Sequence, residues 1–334
     1  MKRIMSVVGL LVLTNLSGFG QQEAAFFRIV SSTNSGITAL SSDGTLSWTN
    51  AATAGLTCMI QRAATLAGPS NWVDYVQHGV TSATMTVRVY DPNPIAGMRL
   101  IPAGMNSGTD PDFGAYSLTN AVAFYMDATG VTKAKWDEVY TWAVTNGYTF
   151  VNAGSGKASN HPVQKVSWYD CVKWCNARSA KEGKTPCYNL SGWSCNFSAN
   201  GYRLPTNTEW AYAARGGLSG KRFPWGDTIM HSQANYYSST LSAYDTSLTR
   251  NYHPMYATGG TPYTSPAGAF AANGYGLYDM AGNVWEWCND ASGSDRSIRG
   301  GCWYDRASYA RCGLSSWFAP DYAAIYYGFR SVCR

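Results

Sequence analysis

The chain has 334 residues, of which 45% are hydrophobic and only 13% charged, a balance that excludes a disordered polyelectrolyte. Its formal charge of +5 comes from 25 basic and 20 acidic residues scattered along the sequence, so no basic stripe for nucleic acid is present. The unusual weight lies in 13 Trp and 23 Tyr.

The first twenty residues read as an export leader. Lys2 and Arg3 precede an apolar run from Ile4 to Leu16, and Gly18-Phe19-Gly20 supplies a small-x-small cleavage motif. The run is too short for a membrane-spanning helix, which needs about 20 apolar residues. A secreted or periplasmic product starting near Gln21, with no transmembrane segment after cleavage, is expected.

Residues 21–92 form the next unit. Short β-forming runs at Phe26 to Val30, Leu56 to Gln61 and Thr84 to Tyr90 are separated by Gly, Ser, Asn and Asp, which predicts a small β-sandwich-like module. Asp91-Pro92-Asn93-Pro94 is an extended linker by its two prolines. Residues 97–334 are the second, larger domain.

Two helices in that domain are legible from their caps. Ser167 opens the stretch Trp168 to Ser179 with Asp170 three residues on, and Thr206 opens Asn207 to Arg215 with Glu209 three residues on. In each, hydroxyl and carboxylate satisfy backbone donors that a helix start leaves unpaired. Gly216-Gly217 ends the second helix. Beyond it no amphipathic helical repeat appears, and the domain reads as α+β with much irregular loop.

Nine cysteines in an exported chain point to disulfides, with at least one thiol left over. The preferred pairs are Cys187 with Cys195 and Cys302 with Cys312, although spacing does not fix connectivity. Cys171 and Cys175 stand one helical turn apart. A metal there needs two further ligands, and none of His78, His161, His231 and His253 stands at paired spacing, so buried apolar thiols or distant disulfides are the reading taken.

A series of motifs then carries a resemblance: Ile101-Pro102-Ala103-Gly104, Pro162 to Trp168, Gly201-Tyr202-Arg203-Leu204-Pro205-Thr206, Phe223-Pro224-Trp225-Gly226, Asn273-Gly274-Tyr275-Gly276-Leu277-Tyr278-Asp279-Met280, Gly282-Asn283-Val284-Trp285-Glu286-Trp287, Arg299-Gly300-Gly301 and Gly328-Phe329-Arg330. In this order they resemble the formylglycine-generating-enzyme (sulfatase-modifying-factor) family. The resemblance implies a variant of the C-type-lectin fold, two bound calcium ions, and an active site on the C-terminal segment.

Members that oxidise a substrate cysteine to formylglycine bind Cu(I) through two cysteines shortly after the Gly-Gly pair, because soft thiolates hold that ion. In this chain those positions fall at about Asp305 and Ala310, and neither is a thiol. Copper oxidase chemistry is therefore not expected; its one remaining route is a displaced pair, Cys302 and Cys312. Kinase, nucleotide and serine-hydrolase motifs are absent.

Two calcium sites are implied by the same resemblance. One comprises Asp279, the carbonyls of Gly282 and Val284, and Glu286; the other comprises Asn235, the Tyr236 carbonyl and Asp245. Both offer the oxygen donors calcium requires. The alternative for the first is a simple turn with Glu286 paired to an arginine. Finally, Tyr304, Asp305, Tyr309, Trp317, Phe318, Tyr322, Tyr326 and Tyr327 form an aromatic segment of the composition that binding loops use. The expectation is a non-oxidative binding or scaffold protein for a protein or glycan ligand. A retroelement-diversified binding protein is an alternative with the same fold.

Overall fold

A computed structural model describes residues 6–12, 26–31, 35–50, 56–63, 72–91 and 94–334. The cleavage motif and the Pro92-Asn93 half of the linker lie outside the described residues. Ser6–Val12, inside the stretch read as a leader, is strand β1 and pairs antiparallel with β2 (Phe26–Ser31). Five strands follow before the linker: β3 (Ser35–Leu40), β4 (Thr45–Asn50), β5 (Thr57–Ala63), β6 (Val73–Gly79) and β7 (Thr84–Arg88). After it come β8 (Met98–Ile101), β9 (Gly104–Asp110), β10 (Gly114–Asn120) and β11 (Phe124–Asp127), then helices α1 (Lys133–Thr145), α2 (Trp168–Lys181) and α3 (Asn207–Arg215). The chain closes with β12 (Trp285–Ser292), β13 (Asp295–Arg299), β14 (Ser316–Phe318), β15 (Tyr327–Gly328) and β16 (Val332–Cys333).

The first module is a sandwich, as its short β-forming runs predict. Along β4, Leu46, Trp48 and Asn50 point inward while Thr45, Ser47 and Thr49 face outward, the two-residue period of a half-buried strand. The small sheet β3-β4-β7 contributes Leu46, Trp48 and Val87 to a core shared with Phe27, Ile29, Ile60 and Val76 of the larger sheet. That larger sheet runs β1-β2-β5-β6-β9-β10, so the hairpin β9-β10 lies beyond the linker in sequence yet extends the first module's sheet. The same apolar core continues through Ile101, Phe124, Met126, Trp210 and Tyr212 of the larger domain.

Both predicted capping boxes are formed. The Ser167 hydroxyl accepts from the Asp170 backbone N–H, and the Asp170 carboxylate accepts in return from the Ser167 N–H at 3.1 Å. Thr206 and Glu209 do the same for α3, which ends on Gly216 in the left-handed conformation. A Cβ there would stand 2.7 Å from the Gly274 N, so glycine is required by both conformation and space. Helix α1, capped by Thr132, was not anticipated: only Trp136, Val139 and Ala143 are buried along it. It is held by aromatic packing. The Trp136 ring stacks on Trp174 of α2 with centroids 6.1 Å apart, and Phe329 meets both edge-on.

All nine cysteines are free thiols, so neither preferred disulfide is formed in this structure. Cys302 belongs to the core around α1 and α2, whereas Cys312 is buried in the core shared with the first module. Cys171 and Cys175 are wholly buried among apolar side chains, and burial pushes both thiols well up, as expected of inert core residues.

Candidate functional site

The sheet β14-β13-β12-β15 organises the C-terminal segment. Strand β12 is buried over its first four residues, and Glu286 lies in that stretch with its carboxylate inside the protein. The Arg330 guanidinium, fully buried, closes on it with Nε 2.7 Å from Oε2 and Nη2 2.8 Å from Oε1. The Trp210 indole N–H donates to Oε2 at 2.6 Å. Arg330 also donates to the carbonyls of Asp127 and Tyr278. This is the arginine partner that the turn alternative foresaw for Glu286.

Asp279 behaves differently. Its Oδ2 accepts from the Gly268 N–H at 2.7 Å, but Oδ1 is buried with no partner. Burial pushes its carboxyl up to about 6, the Gly268 hydrogen bond and Arg330 pulling the other way. The side chain lies with Gly282, Asn283, Val284 and Glu286, the segment the resemblance gave to calcium, around a crevice too tight for a water molecule. An orphaned carboxylate oxygen facing that turn fits a cation, with Glu286 already committed to Arg330.

Two members of the second expected calcium set are engaged by protein donors, while Asn235 Oδ1 is buried with no partner. The Asp245 carboxylate accepts from Tyr236 Oη at 2.7 Å, Ser238 Oγ at 3.0 Å and the Ser239 N–H at 2.8 Å. The Tyr236 carbonyl faces His231 Nε2 at 3.2 Å. Asn235 turns away from Asp245: its amide donates to the Tyr263 carbonyl and its backbone carbonyl receives the Asn283 N–H. An Asp245 whose oxygens are hydrogen-bonded in this way has little left to offer a metal. Among the described residues no group of three or more His, Cys, Asp and Glu side chains is arranged to hold one.

The aromatic segment splits in two. Phe318, Tyr322 and Tyr327 pack together beside β14, Tyr327 stacking on Trp287, while Trp317 lies on β14 opposite Ser297. Tyr304, Asp305 and Tyr309 instead line a cleft of about 370 Å³ with Arg306, Tyr237 and Tyr252. Tyr326 braces it from behind, 5.3 Å from the Tyr304 ring and 5.4 Å from Trp303. Tyr237, Tyr252 and Tyr263 were missed by sequence reasoning. They come from the irregular 236–263 stretch, where no spacing marks them, and the Tyr252 ring is the hub, with Tyr237 at 5.0 Å and Tyr263 at 5.1 Å.

Asp305 stands at the inner wall of this cleft. Its Oδ2 accepts from the Trp285 indole N–H at 2.7 Å and from Cys302 Sγ at 3.0 Å. Burial raises its proton affinity, and burial with the neighbouring Asp305 charge pushes the Cys302 thiol well up. A thiol so disfavoured as thiolate, hydrogen-bonded to a carboxylate, does not fit Cu(I). Cys302 and Cys312, in separate apolar clusters, do not make a substitute pair.

Comparison with known proteins agrees with this architecture. The mouse formylglycine-generating enzyme is 34% identical over 194 residues, 52% of this chain and 44% of that protein. The mouse protein named inactive C-alpha-formylglycine-generating enzyme 2 is 34% identical over 179 residues, 51% of this chain and 48% of its own length. The chain thus spans about half the length of these relatives. Among solved structures, Treponema denticola variable protein 1 superposes with a TM-score of 0.53 at 26% identity, over 71% of this chain and 94% of that one. A family model described as sulfatase-modifying factor enzyme 1-like domain matches residues 85–334, from β7 to the C-terminus. The chain therefore belongs to the sulfatase-modifying factor family, in its C-type-lectin-like fold.

Proposed function

We propose that this is an exported, non-oxidative binding member of its family, which presents the tyrosine-walled cleft at residues 303–309 and the Phe318-Tyr322 ridge to a protein or glycan ligand. The reading is carried by the chemistry at Asp305 and Ala310, about where the resemblance puts the oxidases' two thiolates: one is a hydrogen-bonded carboxylate and the other a methyl group. Exposed Tyr304, Tyr309, Phe318 and Tyr322 support it, because large aromatic surface costs water contact and is retained where a partner covers it. A relative named as inactive and a neighbour named as a variable protein are consistent with a member that has left the oxidation chemistry. Export rests on the leader read in the first twenty residues, whose removal would take the edge strand β1 from the larger sheet and leave β2 as its edge. Calcium is proposed as a structural ion at Asp279, held with the Gly282 and Val284 carbonyls.

The test is an oxidation assay with Cu(I), oxygen and a sulfatase-type peptide containing Cys-x-Pro-x-Arg, read by mass spectrometry. The peptide is expected to stay unchanged. Formylglycine that appears with the native chain and disappears with Cys302→Ser would replace this reading with an enzymatic one.

A further inference from the structure

The cleft contains an acid without a counter-charge. Asp305 Oδ2 is fixed by Trp285 and Cys302, while Oδ1 receives no hydrogen bond among the described residues. No Lys, Arg or His among them forms an ion pair with it, although the neighbouring Arg306 lines the same cleft. Elsewhere several acids are matched with arginine, although buried Asp170 and Asp279 are not. Asp110 has Arg215 at 2.8 Å, Asp127 has Arg178 at 2.9 Å, and Glu286 has Arg330. A carboxylate left uncompensated in a partly dehydrated site costs stability unless something of opposite charge completes it.

The walls indicate what completes it. The rings of Tyr237, Tyr252, Tyr304 and Tyr309 line the space in front of Asp305. Tyrosine faces carry negative quadrupole potential, and several of them around one acid favour a cation with low hydration cost over a neutral or anionic group. The protein already uses this cluster in that way at its outer edge, where Lys157 Nζ lies 5.9 Å over the Tyr263 ring while donating to the carbonyls of Tyr256 and Thr258. Arg306, exposed at the rim, is placed to meet an anionic or polar remainder of the same ligand.

We propose that the cleft recognises its ligand through an ammonium group, seated among Tyr237, Tyr252, Tyr304 and Tyr309 and charge-paired with Asp305. This deepens the binding reading given above and rests on it. The ammonium can belong to a small quaternary amine or to a lysine side chain of a protein; the chemistry at Asp305 is the same.

The experiment is calorimetric titration of the full chain with choline, with Nα-acetyl-lysine amide, and with 3,3-dimethylbutanol as the neutral isostere of choline. At least one ammonium probe is expected to bind about tenfold or more tightly than the alcohol. Asp305→Asn should erase that preference with a melting temperature no lower than that of the native chain, and Tyr252→Leu should weaken the ammonium probe several-fold. Preference for choline assigns the small amine, and preference for the lysine amide assigns a protein side chain. Equal binding of the alcohol, binding indifferent to Asp305→Asn, or no binding by any probe overturns the proposal. The broader reading is tested separately: a glycan or peptide ligand lost on Tyr304→Ala but unaffected by Asp305→Asn would keep the cleft as a binding site and overturn only its charge selectivity.

Discussion

Glu286 and Asp305 are carboxylates of the same C-terminal region, and each accepts an indole N–H, from Trp210 and Trp285 respectively. Glu286 is closed off by Arg330, which uses its remaining donors on the carbonyls of Asp127 and Tyr278 and so ties the last strands to β11 and the Asp279 turn. Asp305 has the indole and a thiol but no cation, and it opens on a cleft. The difference separates an acid that holds the fold from one available to a ligand. Neither sequence spacing nor burial alone makes that distinction; the presence or absence of the guanidinium does.

The comparison can be broken most severely at Arg330. Arg330→Met leaves Glu286 buried with its charge unpaired, and a loss of about 3–5 kcal/mol is expected in chemical denaturation. Adding Glu286→Gln to that variant should recover part of the loss, and no recovery would mean that the carbonyl bonds of Arg330 matter more than the pair. Asp279 is the intermediate case, a buried acid with one oxygen bonded and one orphaned. If calcium completes it, a hundredfold excess over Kd stabilises the chain by about 2.7 kcal/mol. The readout is a melting temperature that rises with calcium, falls back with a chelator, and no longer responds in Asp279→Asn. The smallest effect belongs to Asp305→Asn, whose amide oxygen can still accept from Trp285. Stability should change by no more than about 0.5 kcal/mol, and in the favourable direction, because an uncompensated charge is removed. A clear destabilisation would put Asp305 in the same class as Glu286.

Much of the scaffold was legible because its signals are local. The hydroxyl-carboxylate pairs Ser167-Asp170 and Thr206-Glu209 placed two helix starts to the residue, and the β-forming runs from Phe26 and Thr84 placed β2 and β7. Helix α1 was not read, since a three-residue buried face gives little periodic signal and its packing partners Trp174 and Phe329 are distant in sequence. The candidate site divides the same way. Tyr304, Asp305 and Tyr309 follow the Gly300-Gly301 landmark closely and were identified, whereas Tyr237 and Tyr252 reach the cleft through an irregular loop whose course is set by contacts such as the Tyr237 N–H on the Asp305 carbonyl. The surroundings of the second expected calcium set were illegible for a related reason. Hydroxyls of Tyr236 and Ser238 satisfy Asp245 within the loop, and donors of that kind leave no periodic trace in a sequence.

The hairpin β9-β10, hydrogen-bonded to β6 beyond a proline-bearing linker, has a mechanical meaning. A module joined only by a linker would swing like a bead on a string. Here the joint is a continuous sheet, with Asn106 also donating to the Leu218 carbonyl of the larger domain and Arg215 gripping Asp110 at the far end of β9. Whatever holds the first module therefore also sets the bearing of the tyrosine cleft, and a pull on one end is transmitted as torque rather than absorbed as slack.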